Sequence, residues 1–151
     1  MKVIIQRVAH ASVKVDNEIV GAIEKGFMIL LGVGKDDTEK EAELLASKVA
    51  NLRIFCDEAD KMNLSLLDTD GEALVISNFT LCADSKKGNR PSFINAKEPV
   101  EANALYEKFC LFLKENGVKK VAKGIFGADM KVELLNDGPV TIILDTDIWR
   151  K

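Results

Sequence analysis

The sequence predicts an α+β fold that is rich in β-strand, with largely antiparallel sheets and two main amphipathic helices packed on one side. Three observations predict it. Many short apolar runs are separated by turn residues at the pace of strands. Only two segments, after Thr38 and near Glu98, combine helical spacing with clear start signals. The strands come in clusters and do not alternate strictly with helices, as a parallel β-α-β sheet would require.

In chain order, residues 2–8 and 11–15 read as two short strands. Asp16-Asn17 turns the chain into EIVGAIE, and Lys25-Gly26 turns it into FMILLGV, a meander of hairpins. Thr38 and Glu41 fit a capping box, and Asp36, Asp37 and Glu39 place negative charge at a helix start. Ala42, Leu45, Ala46, Val49 and Leu52 share one face of that helix. Residues 53–56 read as a strand, followed by the polar loop DEADKMN. Gly71 opens the strand EALVISNFTL, and DSKKGNRPSF is a loop by composition. The second helix begins near Glu98-Pro99, since proline suits a first turn. Its buried stripe is Ala102, Leu105, Phe109, Phe112 and Leu113, and Gly117 caps it after Asn116. Three short strands close the chain, VKKVAKG, MKVELL and VTIILDT, the last two separated by a turn at Asn136-Asp137-Gly138-Pro139.

A length of 151 residues suits one domain, here residues 1–151. An apolar content of 47% and a charged content of 30% describe a soluble globular chain. No apolar run approaches the ~20 residues that cross a membrane, and residues 1–13 lack a signal-peptide core, so a cytoplasmic protein is expected. A net charge of -3 argues against a large basic nucleic-acid face, so any RNA contact must be local. Cys56, Cys82 and Cys110 are far apart, and His10 is the single histidine. That is a poor ligand inventory for a metal site and fits buried reduced thiols.

The strand EALVISNFTL carries Ser77, Asn78 and Thr80 at the end of an apolar stretch. Strand period places Leu74, Ile76, Asn78 and Thr80 on one face. These polar groups either satisfy neighbouring backbone or build a site. A hydroxyl nucleophile needs an adjacent base, and His10 in a strand-like AHAS stretch is a poor one. There is no G-x-S-x-G elbow. Catalysis, if present, must rest on positioning and backbone donors. Lys86, Lys87 and Arg90 around Gly88 form a solvated loop or a local phosphate contact. The fragment GIFGADM is a tight turn with Phe126 in the core, or a flat pocket wall for a ring.

Taken together, SNFTL (77–81), GNRPSF (88–93), FGADM (126–130) and NDGPVT (136–141) resemble the D-aminoacyl-tRNA deacylases in order and spacing. Gln6-Arg7-Val8, Ala11-Ser12-Val13 and the Gly26 to Val33 segment agree, so the resemblance spans essentially the whole chain. It implies a barrel-like fold, a homodimer, and no metal or cofactor. It implies a cytoplasmic proofreading hydrolase that cleaves the ester of a D-amino acid to the 3′-terminal adenosine of tRNA. Gly138-Pro139 should then carry a cis peptide bond and reach into the partner subunit's site. There its carbonyls accept from the substrate's α-amino group and exclude an L-side chain, while glycine passes. Ser77, Phe79 and Thr80 match the catalytic segment, with Phe79 and Thr80 N–H groups as oxyanion donors and Thr80 as an organiser of water or substrate. The adjacent ribose 2′-hydroxyl can assist. Asn78, Phe126 and Met130 are expected to bind substrate, the last two at the adenosine, and Lys86, Lys87 or Arg90 to touch phosphate. Asn78 departs from the family's usual glutamine and is one methylene shorter. Two other readings stand beside this one: a non-catalytic module that binds the tRNA end, and an esterase with Thr80 as nucleophile.

Overall fold

The computed structural model describes residues 1–149. Lys2–Val15 forms one 14-residue strand, β1, where the sequence suggested two. The apparent gap is an irregularity in register around Ala9 and His10, both exposed. Val3 and Ile5 bury one face before it, and Ala11 and Val13 bury the opposite face after it.

β2 (Glu18–Ile23) pairs antiparallel with the second half of β1, and β3 (Gly26–Gly32) pairs antiparallel with the first half. The expected meander is therefore replaced by two short strands that share one edge of β1. The other edge of β1 carries a single long strand, β8 (Lys131–Asp145).

Helix α1 (Glu39–Asn51) starts at the expected capping box, with Thr38 N–H donating to Glu41 Oε2 at 2.6 Å. Asp37 does not decorate the helix start. It is buried, and its carboxylate accepts from the Met1 ammonium at 2.7 Å and from Gly34 N–H at 2.6 Å. The strand expected over 53–56 shrinks to β4 (Phe55–Cys56), which pairs with β5 (Met62–Leu64). A one-turn helix, α2 (Leu66–Thr69), was not foreseen. Ser65 and Asp68 cap it reciprocally, a signal present in the sequence but attached to too short an apolar run.

β6 (Glu72–Ser77) lies parallel to β3, and β7 (Val121–Lys123) lies parallel to β6. The sheet is thus mixed, with antiparallel pairs around β1 and parallel pairs at β6. The path β2-β1-β3-β6-β7 curls until β7 lies against β2, giving a nearly closed barrel. Val8, Ala11, Val13, Met28, Leu74 and Ile76 pack together on one face of that sheet. The opposite face meets α1 and α3 (Pro99–Glu115), which pack on each other.

Glu98 caps α3 by accepting from Glu101 N–H at 2.7 Å, and Pro99 occupies the first position. Phe109 and Leu113 are wholly buried, each worth about 1.5–3 kcal/mol of transfer free energy. Phe112 is only half-buried; Tyr106 is the larger buried anchor of the helix, and its hydroxyl donates to Val75 O at 2.7 Å. Asn116 ends the helix and Gly117 follows at φ +109. Among the described residues, no helix is long and apolar enough to cross a membrane.

Candidate active site

β6 ends at Ser77, not at Leu81. Asn78 N–H donates to Leu31 O at 2.8 Å, and Phe79–Cys82 then coils into a 3-10 turn. The expected strand alternation therefore stops where the polar residues begin. Asn78 and Thr80 do not share a strand face with Leu74 and Ile76. Instead the Thr80 hydroxyl donates to Asn78 Oδ1 across the turn. The first bond of the turn runs from Leu81 N–H to Asn78 O at 3.2 Å. This leaves the Phe79 and Thr80 N–H groups outside the turn's own bonding, as at any helical start.

Two cavities meet at this turn. One, of about 430 Å³, is lined by Leu31, Ser77, Asn78, Phe79, Phe93, Ala102 and Phe126, among others. The second, of about 340 Å³, adds Met130 and Val132. Ser77, Asn78, Phe79, Phe126 and Gly127 line both. The GIFGADM segment is thus a pocket wall and a turn at once. Ala128 N–H donates to Ile125 O at 3.1 Å while the Phe126 ring faces Tyr106 at 6.1 Å between centroids.

The structure brings Ser77, Asn78, Phe79, Phe126 and Met130 together around these cavities, and the remaining expected residues line neither. Thr80 is exposed beside the cavities and lines neither. Lys86, Lys87 and Arg90 lie on an exposed hairpin tip, and Lys86 lines a separate polar cavity of about 580 Å³ near Met1 and Asp84. His10 is exposed on β1, where its register partner is Leu135. Among the described residues, no group of three His, Cys, Asp or Glu side chains is placed to hold a metal ion.

Gly138 and Pro139 line neither cavity of their own chain. The expected turn between two strands is a bulge inside β8. Gln6 faces Thr141 and Val8 faces Asn136, so Arg7 alone stands opposite residues 137–140. Asn136 pinches the bulge shut: its Oδ1 accepts from Val140 N–H at 2.9 Å, and its amide nitrogen donates to Val140 O at 3.3 Å. The Gly138-Pro139 peptide bond is cis, and Gly138 has φ +146, a conformation that favours glycine.

Arg7 is the residue that sequence reading missed. It is buried, and its Nε donates to Asp137 O at 3.0 Å while Nη1 donates to Ile54 O at 2.7 Å. Its signal was available. Arg7 continues the alternation of Val3 and Ile5, and an arginine in register with buried aliphatics needs buried acceptors.

Residues 4–145 match the family described as D-Tyr-tRNA(Tyr) deacylase. A D-aminoacyl-tRNA deacylase of Clostridium botulinum (strain Alaska E43 / Type E3) is 57% identical over 97% of this chain and 97% of its own. One of Roseiflexus castenholzii (strain DSM 13941 / HLO8) is 56% identical over 100% of this chain and 96% of its own. The solved structure of a c-Myc DNA unwinding element binding protein superposes with a TM-score of 0.91 at 41% identity, covering 96% of this chain and 98% of that one. A probable eukaryotic D-amino acid tRNA deacylase shares the fold with a TM-score of 0.81 at 18% identity, covering 95% of this chain and 97% of that one.

Proposed function

The chain belongs to the D-Tyr-tRNA(Tyr) deacylase family and is a D-aminoacyl-tRNA deacylase, and from that premise we propose how its residues divide the work. The substrate is the ester between a D-amino acid and the 3′-terminal adenosine of tRNA, met in the cytoplasm. Phe126 and Met130 form the wall for the adenosine, and the adjoining cavity beyond Phe79 receives the aminoacyl end. The observation that carries this reading is the pair of adjoining cavities joined at Ser77–Phe79, a division that suits a nucleoside and its acyl group.

Water attacks the ester carbonyl, and the Phe79 and Thr80 N–H groups stabilise the oxyanion that develops. Thr80 orients its surroundings through Asn78 and is not a nucleophile, because among the described residues no base is hydrogen-bonded to its hydroxyl. Its exposed hydroxyl is already committed as a donor to Asn78. The ribose 2′-hydroxyl next to the ester is the nearest group able to relay a proton to the leaving 3′-oxygen. The shorter Asn78 amide serves here as an acceptor within the turn.

Gly138-Pro139 acts on the site of a second copy of the chain. Two observations support this: the pair is exposed, and it lies outside both cavities of its own chain. Rigid backbone carbonyls there accept from the substrate's α-amino group and occupy the volume an L-side chain would need. Glycine has no side chain to exclude and is accepted. The working unit is then a homodimer.

The experiment is hydrolysis of matched D-tyrosyl-, L-tyrosyl- and glycyl-tRNA over a range of enzyme concentrations. Loss of the D- and glycyl esters with the L-ester spared is expected. Equal cleavage of the D- and L-esters overturns the filter, and no cleavage at all overturns the catalytic reading.

A further inference from the structure

The segment after the catalytic turn returns to the site as a hairpin. Asp84 and Ser92 exchange two backbone hydrogen bonds, each 2.8 Å, and close residues 85–91 into a projecting tip. Lys86, Lys87 and Arg90 are exposed on that tip. Elsewhere lysines stand beside carboxylates, as Lys108 does with Glu39 at 3.1 Å and Lys119 with Asp70 at 3.0 Å. Among the described residues, no ion pair includes Lys86, Lys87 or Arg90. The carboxylate of Asp84, at the base of the hairpin, accepts from Lys86 N–H at 3.0 Å. In a chain of net charge -3, residues 84–91 carry three cations against the single carboxylate of Asp84.

The hairpin delivers Phe93 to the rim of the cavity of about 430 Å³. Its ring meets Phe79 edge to face, with centroids 5.0 Å apart and an interplanar angle of 71°. Both rings stay open to solvent, Phe79 at 59% and Phe93 at 37%, and the neighbouring Ile94 is 75% exposed. Exposed aromatic faces on the segment whose hairpin carries three exposed cations match the two chemistries of single-stranded RNA, a flat base and a charged phosphate.

Resting on the deacylase reading, we propose that Phe93 and the 85–91 hairpin form a second nucleotide subsite, for the nucleotide immediately preceding the terminal adenosine. Its base lies on the Phe93 ring, and its phosphates face Lys86, Lys87 and Arg90. The subsite reads position along the strand and not sequence, because every base offers a stacking face and no base-edge partner is required. The enzyme then distinguishes an aminoacyl-tRNA end from a free aminoacyl-nucleoside, a distinction the Phe79–Phe126 cavities alone do not supply.

The test compares three substrates carrying the same D-amino acid: aminoacyl-adenosine, aminoacyl-cytidylyl-adenosine and whole tRNA. The wild-type chain should prefer the dinucleotide over the nucleoside at least tenfold in kcat/KM. Phe93→Leu should reduce that preference about tenfold, through KM, and Phe93→Trp should restore it. Replacing Lys86, Lys87 and Arg90 together with Gln should flatten the salt dependence of tRNA binding by roughly two units of log–log slope, at about 0.7 per lost single-strand contact.

A wild-type enzyme that treats nucleoside and dinucleotide alike overturns the proposal. So does a Phe93→Leu enzyme that loses equally on both, since the ring then serves the acyl group. A change in oligomer mass on Phe93→Leu also overturns it, because the ring then packs a second copy. Failure to cleave any of the three would instead sink the deacylase reading.

Discussion

Arg7 Nε donates to the backbone oxygen of Asp137 at 3.0 Å, one residue before Gly138, and so ties the first strand to the bulge of the last. The same guanidinium donates to Ile54 O at 2.7 Å from a position 9% exposed. A planar fork is needed to serve two carbonyls from one side chain. Arg7→Met should leave both acceptors unpaired and cost about 2–6 kcal/mol of stability, at about 1–3 kcal/mol per buried polar group. Urea denaturation measures it. Arg7→Lys should recover part of that loss but not the deacylation rate, because one ammonium cannot hold both carbonyls in the fork's geometry.

Gly138 offers a sharper test of the bulge. A Cβ there would lie 2.7 Å from Val140 N and 2.7 Å from Val140 Cγ2, at a φ of +146. The backbone must move to admit it. Gly138→Ala should lower kcat/KM on D-tyrosyl-tRNA at least tenfold, with stability reduced by about 1–3 kcal/mol. An enzyme of unchanged rate would remove the bulge from the site.

Thr80 separates an organiser from a nucleophile. Thr80→Val should retain turnover within about tenfold, since the general-base assistance worth ~100–10,000-fold is not supplied by this hydroxyl. Intact mass spectrometry during turnover should show no acyl adduct on the wild-type chain. A trapped ester at Thr80 would refute the mechanism.

The three cysteines should behave differently. Cys56 is exposed, while Cys82 and Cys110 are buried. A thiol reagent should therefore label one cysteine quickly in the native protein and three after unfolding. Burial pushes the Cys110 thiol up to about 12 and raises the Tyr106 phenol as well. Both acids hold their protons more tightly in the folded chain than in the unfolded one. The stability they contribute is complete below about pH 9 and is lost as pH rises from there toward 12. Urea midpoints at mildly and strongly alkaline pH should differ less in Cys110→Ala than in the wild type.

The helices were legible in the sequence because their signals are local. Thr38 with Glu41, and Glu98 with Pro99, fix each start within the first turn, and the buried stripes follow at helical spacing. The strands were legible as apolar runs but not as partners. Parallel pairing of β3 with β6 depends on residues over forty positions apart, and no local pattern reports it. The two bulges misled in the same way. Ala9-His10 and Asp137-Gly138-Pro139 look like breaks, yet β1 and β8 run through them side by side. At the site, alternation was extended through Asn78 and Thr80. An apolar strand with polar residues at its end gives no warning that the chain will coil at Phe79. Phe126 was one of two readings of the GIFGADM fragment and Met130 came through the resemblance, whereas Arg7 was within reach of periodicity alone.

The pairing of β1 with β8 also sets an order of events during synthesis. The bulge of β8 is held by Asn136 within the strand and by Arg7, laid down among the first residues, from the strand opposite. Everything between must be made before the two can meet. A nascent chain released before Val140 can carry the Phe79 turn and both long helices, but it lacks the half of β8 that pairs with Lys2–Gln6. Such a fragment would leave the Lys2–Gln6 edge of β1 without its partner residues 141–145, an open template for other strands. Stalled or truncated products should therefore partition into aggregates and not into a half-active enzyme.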